Sequence, residues 1–427
     1  MPKDNKRTIF SWALYDWANS SFTTLVVTFI YGTYFTKTFV ESEVVGTVLW
    51  SRAIGLSALL VAALSPFLGA MADKGIGRRK ALVWATGICV SFTTVLAFIA
   101  PGVGAEWLIA LGVFVIANVA FEVGQVFYNA FLPDIVSPKR VGRVSGFGWG
   151  LGYLGGLTCM ALGLFAFVGF AGADPWLPLS KEAGFNVRAT NLLVAAWFFL
   201  FSLPLLLGVE DPDSPKGSVN VKEVWAGLMQ TFGKVKHYGQ MVRFLIARLI
   251  YNDALITIFA LGGIYAAGTF GWELSKVLMF GIAINATAGL GAFVFGVMDD
   301  KLGGKKTILL SVLALIAATF TAMVAPTDGW FWAASVGIGI FAGPNQSASR
   351  SLMARFVPDK HEAEFFGFFA FSGKFTAFMG PMLFGYLTGM FDSQRAGVGA
   401  VLVLFLVGAV VLVSVDEAKG IREASMV

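Results

Sequence analysis

The segment EDPDSPKGSVNVKEVWAGLMQTFGKVKHYGQ, residues 210–240, is the only long interval of the sequence without an apolar run of membrane-spanning length. Six such runs precede it and six follow it. Each is close to the roughly 20 residues that a helix needs to cross the hydrocarbon layer. We therefore predict three parts: an N-terminal six-helix bundle (1–209), a cytoplasmic linker (210–240) and a C-terminal six-helix bundle (241–427).

The composition places both halves in a membrane. Hydrophobic residues make up 57% of the chain, charged residues 13%, and the mean hydropathy is +0.75, whereas a soluble domain carries about 25% charged residues. The runs have helix length and lack the alternation over about ten residues that marks the strands of outer-membrane barrels. These features predict an all-α integral membrane protein with twelve transmembrane helices in two pseudo-symmetric six-helix bundles.

The predicted spans are the apolar runs themselves. They cover residues 10–35, 46–72, 80–100, 107–132, 143–169, 189–208, 243–268, 275–298, 307–325, 330–355, 365–390 and 395–415.

Lysine and arginine are concentrated at the termini, in the linker and in the even-numbered loops. The odd-numbered loops carry Lys37, Lys181, Arg188, Lys276 and Arg395. Because cytoplasmic loops retain Lys and Arg, we expect both termini in the cytoplasm and the chain in the cytoplasmic (inner) membrane of a bacterium. This placement accounts for the net charge of +5 without a nucleic-acid partner.

Within the linker, Val221 to Tyr238 (VKEVWAGLMQTFGKVKHY) has apolar residues at helical spacing opposite several lysines. This pattern predicts an amphipathic helix. Such a helix either lies on the inner leaflet or is a docked connection with no function of its own.

One sequence pattern occurs at corresponding places in the two halves, G-x-x-x-D-K-x-x-G-[RK]-[RK]. Its members are Gly69, Asp73, Lys74, Gly77, Arg78 and Arg79 between the second and third helices, and Gly296, Asp300, Lys301, Gly304, Lys305 and Lys306 between the eighth and ninth. The two copies align without a gap. Glycine permits the tight turn, while the aspartate can accept hydrogen bonds at a neighbouring helix end.

These two loops resemble the cytoplasmic loop signature of the major facilitator superfamily. The resemblance implies two six-helix bundles around a central cavity with alternating access. It also implies a gating role for the signature residues, here Asp73, Arg78, Asp300 and Lys305.

A second set of motifs is more specific. They are YDWANSSF (residues 15–22), FYNAFLPD (127–134), SGFGWGLGYLGG (145–156) and NQSASRS (345–351). Together they resemble the vacuolar amino-acid effluxer family related to autophagy and its bacterial relatives. Membership implies export of small solutes, with amino acids as the proposed class.

Several ionisable residues lie inside the predicted spans, where a central charge costs about 3 kcal/mol even on the insertion scale. They are Asp16, Arg52, Glu122, Arg248, Asp253, Arg350 and Lys374. Arg52 and Arg248 lie near span ends, where snorkelling to the interface explains them. Asp253 is expected to pair with Arg248.

Glu122 leads a polar stripe, because Gln125 and Asn129 follow it at i+3 and i+7. Its carboxylate has two interpretations. It either carries a coupling proton, ionising when hydrated, or forms a structural ion pair with Arg350 or Lys374.

The basic candidates for substrate binding lie in the second half. Arg350 belongs to a polar run with Asn345 and Gln346, and its planar guanidinium suits a substrate carboxylate. Lys374 is the second candidate. Either cation could instead neutralise Glu122.

The first helix supplies the acidic candidates. Asp16 could hold a substrate ammonium or a proton, with Tyr15 and Asn19 beside it, and Asn252 and Asp253 in the seventh helix are approximate counterparts.

These candidates favour a secondary transporter that moves a small polar or zwitterionic solute, with amino-acid export and proton coupling as the specific hypotheses. Sugars, peptides, drugs, or a membrane receptor or scaffold without transport remain alternatives. Enzyme function is disfavoured, because His237 and His361 lie in separate loops and Cys89 and Cys159 lie in apolar runs, so no metal or catalytic motif is formed. We expect no cofactor or metal, and a monomer.

Overall fold

The computed structural model describes residues 3–169, 172–211, 221–233 and 235–426. Over these residues it is built from α-helices that follow the twelve predicted spans. We label the spans α1 (Lys6–Ser21, Phe22–Phe29 and Tyr31–Thr38), α2 (Glu43–Met71), α3 (Arg78–Leu96), α4 (Glu106–Ala130), α5 (Val141–Leu162, continued by Gly163–Val168), α6 (Thr190–Gly208), α7 (Gly239–Phe270), α8 (Leu274–Leu302), α9 (Gly304–Val324), α10 (Asp328–Phe356), α11 (Glu362–Lys374 and Met379–Phe391) and α12 (Gln394–Val413).

Within the described residues, eight helices are long and apolar enough to cross a membrane. They correspond to α2, α4, α5, α6, α7, α8, α9 and α12. Of the remaining four, α1 is divided by a π-helical stretch at Phe22–Phe29. The eleventh helix, α11, is divided by a non-helical turn at residues 375–378. In α1 and α11 these interruptions divide an apolar run that is continuous in the sequence into shorter helical segments.

Each half forms its own bundle, and the two bundles meet mainly through two helix pairs. In the first half α1 packs on α5 and α6, and α4 packs on α2 and α3; in the second half α10 packs on α8 and α9, and α12 packs on α7. Between the halves α5 packs on α8, and α2 packs on the first segment of α11. Gly146 permits the first crossing, because a Cβ there would lie 2.3 Å from the carbonyl oxygen of Ala292.

Both termini lie on one side of the bundle, which we call the terminal side. Asp4 donates its N–H to Ile135 at the end of α4, and Glu417 in the C-terminal helix Glu417–Ser425 contacts Arg355 at the end of α10. The hydrogen bonds and ion pairs between the halves that are described below join residues on this side, such as Asp300 with Gly142, and residues near mid-depth, such as Glu122 with Lys374. Toward the opposite side the halves approach at Phe29 and Gly281.

The described part of the linker holds the helix Val221–Gly233, followed by a 3₁₀ turn at Val235–Tyr238. Val224 and Leu228 are buried, whereas Val221 and Trp225 are exposed. The Trp225 ring lies 6.2 Å from that of Phe67 in α2. The apolar face is therefore divided, with one part packed on α2. Prolines 212 and 215 and the lysines at 216 and 234, which belong to the predicted linker, lie outside the described residues.

The gapless alignment of the two copies of the repeated loop is wrong by one residue at the second glycine of the motif. Gly77 has φ +84° and Gly303 has φ +92°, and each immediately precedes a helix, so Gly303 and not Gly304 is the counterpart of Gly77. The extra residue of the first copy is absorbed by a π-helical turn, in which the Gly77 N–H reaches the carbonyl of Ala72. The equivalent bond in the second copy runs from Gly303 to Asp299.

We predict that Gly303→Ala destabilises the protein, because an L-residue at this positive φ with extended ψ costs about 1–3 kcal/mol and the added Cβ would lie 2.8 Å from an oxygen of Glu417. Thermal unfolding of the purified protein in detergent measures the change in Tm. Gly208→Ala is the control, since nothing lies within 4 Å of its added Cβ. Equal Tm values for the two variants would contradict the assignment of the turn glycine.

Candidate functional site

Two ion pairs join the halves at mid-depth, and each takes its acid from the first half and its base from the second. The first is Asp16 of α1 with Arg350 of α10, at 2.9 Å between Oδ2 and Nη1. The second is Glu122 of α4 with Lys374 of α11, at 2.5 Å between Oε1 and Nζ. Sequence reasoning proposed Arg350 or Lys374 as partner for Glu122, and the structure selects Lys374.

The Arg350 guanidinium is engaged on all its sides. Besides Asp16, it donates from Nε to Ser145 Oγ at 2.9 Å, from Nη2 to the Ser145 carbonyl at 2.7 Å and from Nη1 to Asn129 Oδ1 at 3.4 Å. It also lies over aromatic rings, 4.7 Å from the centroid of Trp12 and 5.6 Å from that of Trp149, an arrangement that stabilises a buried cation.

Gly148 permits this packing. A Cβ at Gly148 would lie 2.8 Å from Asp16 Oδ2 and 2.9 Å from Arg350 Nη2. The pair is therefore sealed between α1, α5 and α10, and the Arg350 side chain is only 3% exposed. In this conformation Asp16 occupies the guanidinium face that a substrate carboxylate would need.

The pair formed by Glu122 and Lys374 is more open. Its side chains are 20% and 28% exposed, against 10% for Asp16 and 3% for Arg350. Both are pairs of a carboxylate with a cation, but they differ in solvent exposure. Glu122 and Lys374 form the pair that a solute or a proton can reach first.

A row of neutral polar groups accompanies the two pairs. Tyr153 of α5 donates its hydroxyl to Gln346 Oε1 of α10 at 2.6 Å, a further contact between the halves. Gln125 is half-buried on the same stripe as Glu122, and Asn19 is buried one turn beyond Asp16. The Nδ2 of Asn19 has no hydrogen-bond partner among the described residues, so a donor is free beside the first pair.

Tyr15 and Asn345, which the sequence offered as substrate contacts, do not face the other half. The Tyr15 hydroxyl bonds Thr86 of α3 at 2.7 Å and its ring stacks on Tyr128. Asn345 donates to Ser311 of α9 at 3.2 Å. Helical phase explains both corrections, because these positions point into their own bundles while Asp16 and Arg350 point across the interface.

The expected pairing of Asp253 with Arg248 is also absent from the described contacts. Arg248 instead donates to the carbonyl of Phe369 at 2.7 Å and to Ser372 Oγ at 2.9 Å. Its guanidinium lies 3.6 Å from the centroid of the Phe369 ring. It is held between α7 and α11, so snorkelling to the interface does not describe it.

On the terminal side, the aspartates of the repeated loops bind helix N-termini of the other half. Asp73 accepts the N–H groups of Ala363 and Glu364 at 3.1 and 2.8 Å, at the start of α11. Asp300 accepts the N–H groups of Gly142 and Arg143 at 2.8 and 3.2 Å, at the start of α5. A carboxylate is favoured at a helix N-terminus by the helix dipole, so each bond closes the two halves together.

A buried arginine lies within ion-pair distance of each aspartate. Arg78 contacts Asp134 at 2.7 Å, Glu362 of the second half at 3.4 Å, Asp211 at 3.7 Å and Asp73 at 3.8 Å. In the second half Arg355 takes this role, contacting Asp299 at 2.8 Å, Glu417 at 3.2 Å and Asp300 at 3.9 Å.

Lys305, proposed from sequence as the second gating cation, makes no contact with the first half among the described residues. Its ammonium donates to the carbonyl of Val413 at the end of α12. Arg79 binds the carbonyl of Leu206 at the end of α6 in the same manner, so Lys305 is the counterpart of Arg79. The one-residue shift in the turn explains the correction, and sequence alignment alone gave no sign of Arg355.

His361 adds a titratable group to the contacts between the halves on the terminal side. Its Nδ1 lies 3.2 Å from Glu364 Oε2. This hydrogen bond raises the pKa of the imidazole above its usual value. Glu364 is also the residue whose N–H binds Asp73, so protonated His361 supports the start of α11 where the halves meet.

We predict that protonation of His361 stabilises this closed arrangement. Since the folded pKa is raised, the contribution is present below about pH 6.5, the unperturbed value, and is lost as the pH rises through the folded pKa. The measurement is Tm from pH 5.5 to 8.5, a range around that value, for wild type and His361→Gln. Wild type should lose more Tm across the range than the variant, and parallel curves would contradict the role of His361.

Comparison with known proteins places the chain in a family. The family model described as vacuole effluxer Atg22 like matches residues 39–425. An uncharacterised MFS-type transporter of Bacillus subtilis, YxiO, is 29% identical over 411 residues, covering 95% of this chain and 94% of that one.

Fungal relatives are more distant. Autophagy-related protein 22 of Saccharomyces cerevisiae is 22% identical over 450 residues, covering 92% of this chain and 82% of the relative. For the protein of the same name in Cryptococcus neoformans the identity is 25%, and the match covers 66% of this chain and 54% of the relative.

Solved structures share the fold at low identity. The proton:xylose symporter XylE has a TM-score of 0.71 at 16% identity, covering 97% of this chain and 96% of that one. FucP in its outward conformation has a TM-score of 0.74 at 11% identity, covering 96% and 98%. The human organic anion transporter MFSD10 also has a TM-score of 0.74, at 14% identity, covering 96% and 100%. These likenesses show the twelve-helix major facilitator fold.

Proposed function

Because the chain belongs to the vacuole effluxer Atg22 like family and is a membrane transporter of the major facilitator type, not an enzyme, we propose that it exports a small zwitterionic solute, with amino acids as the leading class. The observation that supports this most is the crossed arrangement of charges at mid-depth. Two acids of the first half face two bases of the second, and both pairs cross the interface between the halves.

The two ion pairs suit a solute that carries both charges. The carboxylate of an amino acid can replace Glu122 beside Lys374, and its ammonium can replace Lys374 beside Glu122. The partly exposed pair receives the solute first. Because both pairs connect the same two halves, a movement of the halves that follows binding also acts on the sealed pair of Asp16 and Arg350.

Energetics support coupling of binding to movement. Removing one partner of a buried ion pair leaves an uncompensated charge at a cost of about 3–5 kcal/mol. The halves therefore separate on the terminal side only when new partners have replaced the old ones: a solute carboxylate at Lys374, and a solute ammonium or a proton at Glu122. This links occupancy to the change of access that transport by rocking bundles requires.

We assign the closing of the terminal side to Asp73, Arg78 and Asp300, together with Arg143 and Arg355. Arg143 donates from Nε to Asp300 at 2.5 Å across the interface. In the state described here these contacts hold the terminal side closed, so release of the gate must precede access from that side.

For the orientation, we propose that the terminal side is cytoplasmic, on the distribution of Lys and Arg. The Bacillus relative supports the cytoplasmic membrane of a bacterium as the location. We propose a monomer, with the solute as the partner of the mid-depth site.

The decisive experiment is uptake into proteoliposomes with a panel of labelled amino acids, sugars and peptides, with and without an imposed pH difference. The proposal expects uptake of at least one amino acid, accelerated by the pH difference, and no uptake of sugars. Flux of a sugar or peptide alone would replace the substrate class. Solute-dependent thermal stabilisation without any flux would favour a receptor or scaffold.

Arg350→Lys should weaken binding of the transported amino acid about tenfold, equivalent to about 1.4 kcal/mol. A single ammonium cannot reproduce the planar fork that joins Arg350 to Asp16 and Ser145 across the interface beside the solute site. Isothermal calorimetry on purified protein measures the affinity. Arg395→Lys is the matched control, since Arg395 donates to the carbonyls of Met323 and Ala325 far from the site. Unchanged affinity of Arg350→Lys would refute the role of Arg350.

Glu122→Gln should abolish uptake driven by a pH difference while counterflow exchange continues, if Glu122 carries the coupling proton. Gln keeps the shape and loses the titrating group. The control is Glu106→Gln, at the other end of the same helix. Driven uptake at the wild-type rate in Glu122→Gln would remove this residue from coupling and leave it as the partner of Lys374.

A further inference from the structure

Asp253 is a buried carboxylate of α7 with no counter-charge. Its residue is 3% exposed, and no Lys, Arg or His among the described residues forms an ion pair with it. One oxygen, Oδ2, accepts the N–H of Gly380 at 2.9 Å. The other, Oδ1, is buried without any hydrogen-bond partner in the described part of the chain.

The place of Asp253 in the fold is the break in α11. The first segment of α11 ends at Lys374 and the second begins at Met379. Helix α7 holds the break, because Asn252 donates to the carbonyl of Gly373 and Thr376 donates to the carbonyl of Leu249. Gly380 is the second residue of the new segment, so Asp253 accepts from the positive end of a half-helix.

Beyond Asp253, toward the opposite side, the walls are apolar. A cavity of about 40 Å³ begins one turn farther along α7, and Thr257, Leu261 and Phe384 contribute to its lining. Such a lining offers an ionised carboxylate neither a cation nor the several hydrogen bonds that it needs when buried.

The cations nearest in the fold are bound to other groups. On α7 itself, Arg248 is held by Phe369 and Ser372. On α11, Lys374 is paired with Glu122, and on α10, Arg350 is paired with Asp16. The phenol of Tyr251 bonds Ser349 of α10.

Two further helices packed on α7, namely α8 and α12, give the same result. On α8, Lys276 pairs with Asp328 and Asp299 pairs with Arg355. On α12, Arg395 donates to the carbonyls of Met323 and Ala325. None of these groups contacts Asp253.

We infer that Asp253 is a proton-binding site in the second half of the protein, distinct from the two ion pairs. A proton on Oδ1 converts the carboxylate to a neutral carboxylic acid, and Oδ2 continues to accept the Gly380 N–H. This deepens the proposed function and rests on it for one consequence only: a proton held at Asp253 moves with the solute, separately from any proton that Glu122 carries.

The pseudo-symmetric comparison shows why Asp253 and Asp16 differ. Both lie shortly after a tyrosine, Tyr251 and Tyr15, near the middle of the first helix of each half. Asp16 has a guanidinium partner at 2.9 Å, which balances its charge. Asp253 has only one backbone N–H, so neutrality comes from a proton.

The first test uses no solute. Infrared spectroscopy of the purified full chain in lipid nanodiscs detects the carbonyl stretch of protonated carboxyl groups at neutral pH. This band should weaken in Asp253→Asn and remain in Asp16→Asn. Asn keeps the acceptor for Gly380 but binds no proton at neutral pH. An unchanged band in Asp253→Asn, or loss of the band in Asp16→Asn alone, would overturn the inference.

A second measurement uses the wild-type protein, so it tests the inference even if Asp253→Asn does not fold. Dicyclohexylcarbodiimide reacts with protonated carboxyl groups in apolar surroundings, and peptide mass spectrometry of the labelled wild type identifies the residue. Label should be on Asp253 and decrease as the pH rises, with Asp16 unlabelled. Label on Asp16 with none on Asp253 would contradict the assignment.

Uptake of labelled amino acids then separates the inference from the proposed function. In Asp253→Asn, uptake driven by a pH difference should fall at least tenfold while exchange without a gradient persists. If wild type moves no amino acid yet Asp253 carries the infrared band and the label, the proton site stands and the proposed transport fails. If wild type moves amino acids and Asp253→Asn keeps full driven uptake, coupling through Asp253 is refuted.

Discussion

The structure depends on one constraint: a charge placed in the hydrocarbon region needs a partner. Here the partners are taken from opposite halves. Asp16 meets Arg350 and Glu122 meets Lys374, so the groups that make the interior charged also hold the bundles together. Because a buried pair is costly to break on one side only, relative movement of the halves is tied to whatever replaces a partner.

The terminal side repeats this logic with helix dipoles. Asp73 and Asp300 each bind the N-terminus of a helix in the other half, and each is backed by a buried arginine. The arginines come from different places, Arg78 from the start of α3 and Arg355 from the end of α10. The two halves thus place a guanidinium beside the loop aspartate with residues from different helices. The electrostatic effect depends on where the charged group lies and not on which sequence position supplies it.

The second half carries an asymmetry that the first lacks. Its first helix holds Asp253 without a cation, beside an interrupted helix. A proton is the smallest partner that neutralises such a group, and it can leave when the surroundings change. In the transport cycle that we propose, the proton lies in one half and the paired charges lie between the halves, so energy coupling and solute recognition use different groups.

The sequence by itself determined the number of spans and the family resemblance, and the family model matching residues 39–425 confirms that resemblance. The length of an apolar run and the identity of a motif are local properties of the sequence, so both can be identified without the tertiary structure. The sequence also identified Glu122, Arg350, Lys374 and Asp16 as charges that need an explanation.

Only the tertiary structure decided which charges meet. The positions of Asp16 and Arg350 are more than three hundred residues apart in sequence, and helical phase, with Gly148 giving room, brings them together. The same phase turns Tyr15 and Asn345 inward, and a single extra residue in a π-helical turn makes Lys305 the counterpart of Arg79. Pairing depends on angles and distances between helices, and these are set by packing, which residue order alone does not contain.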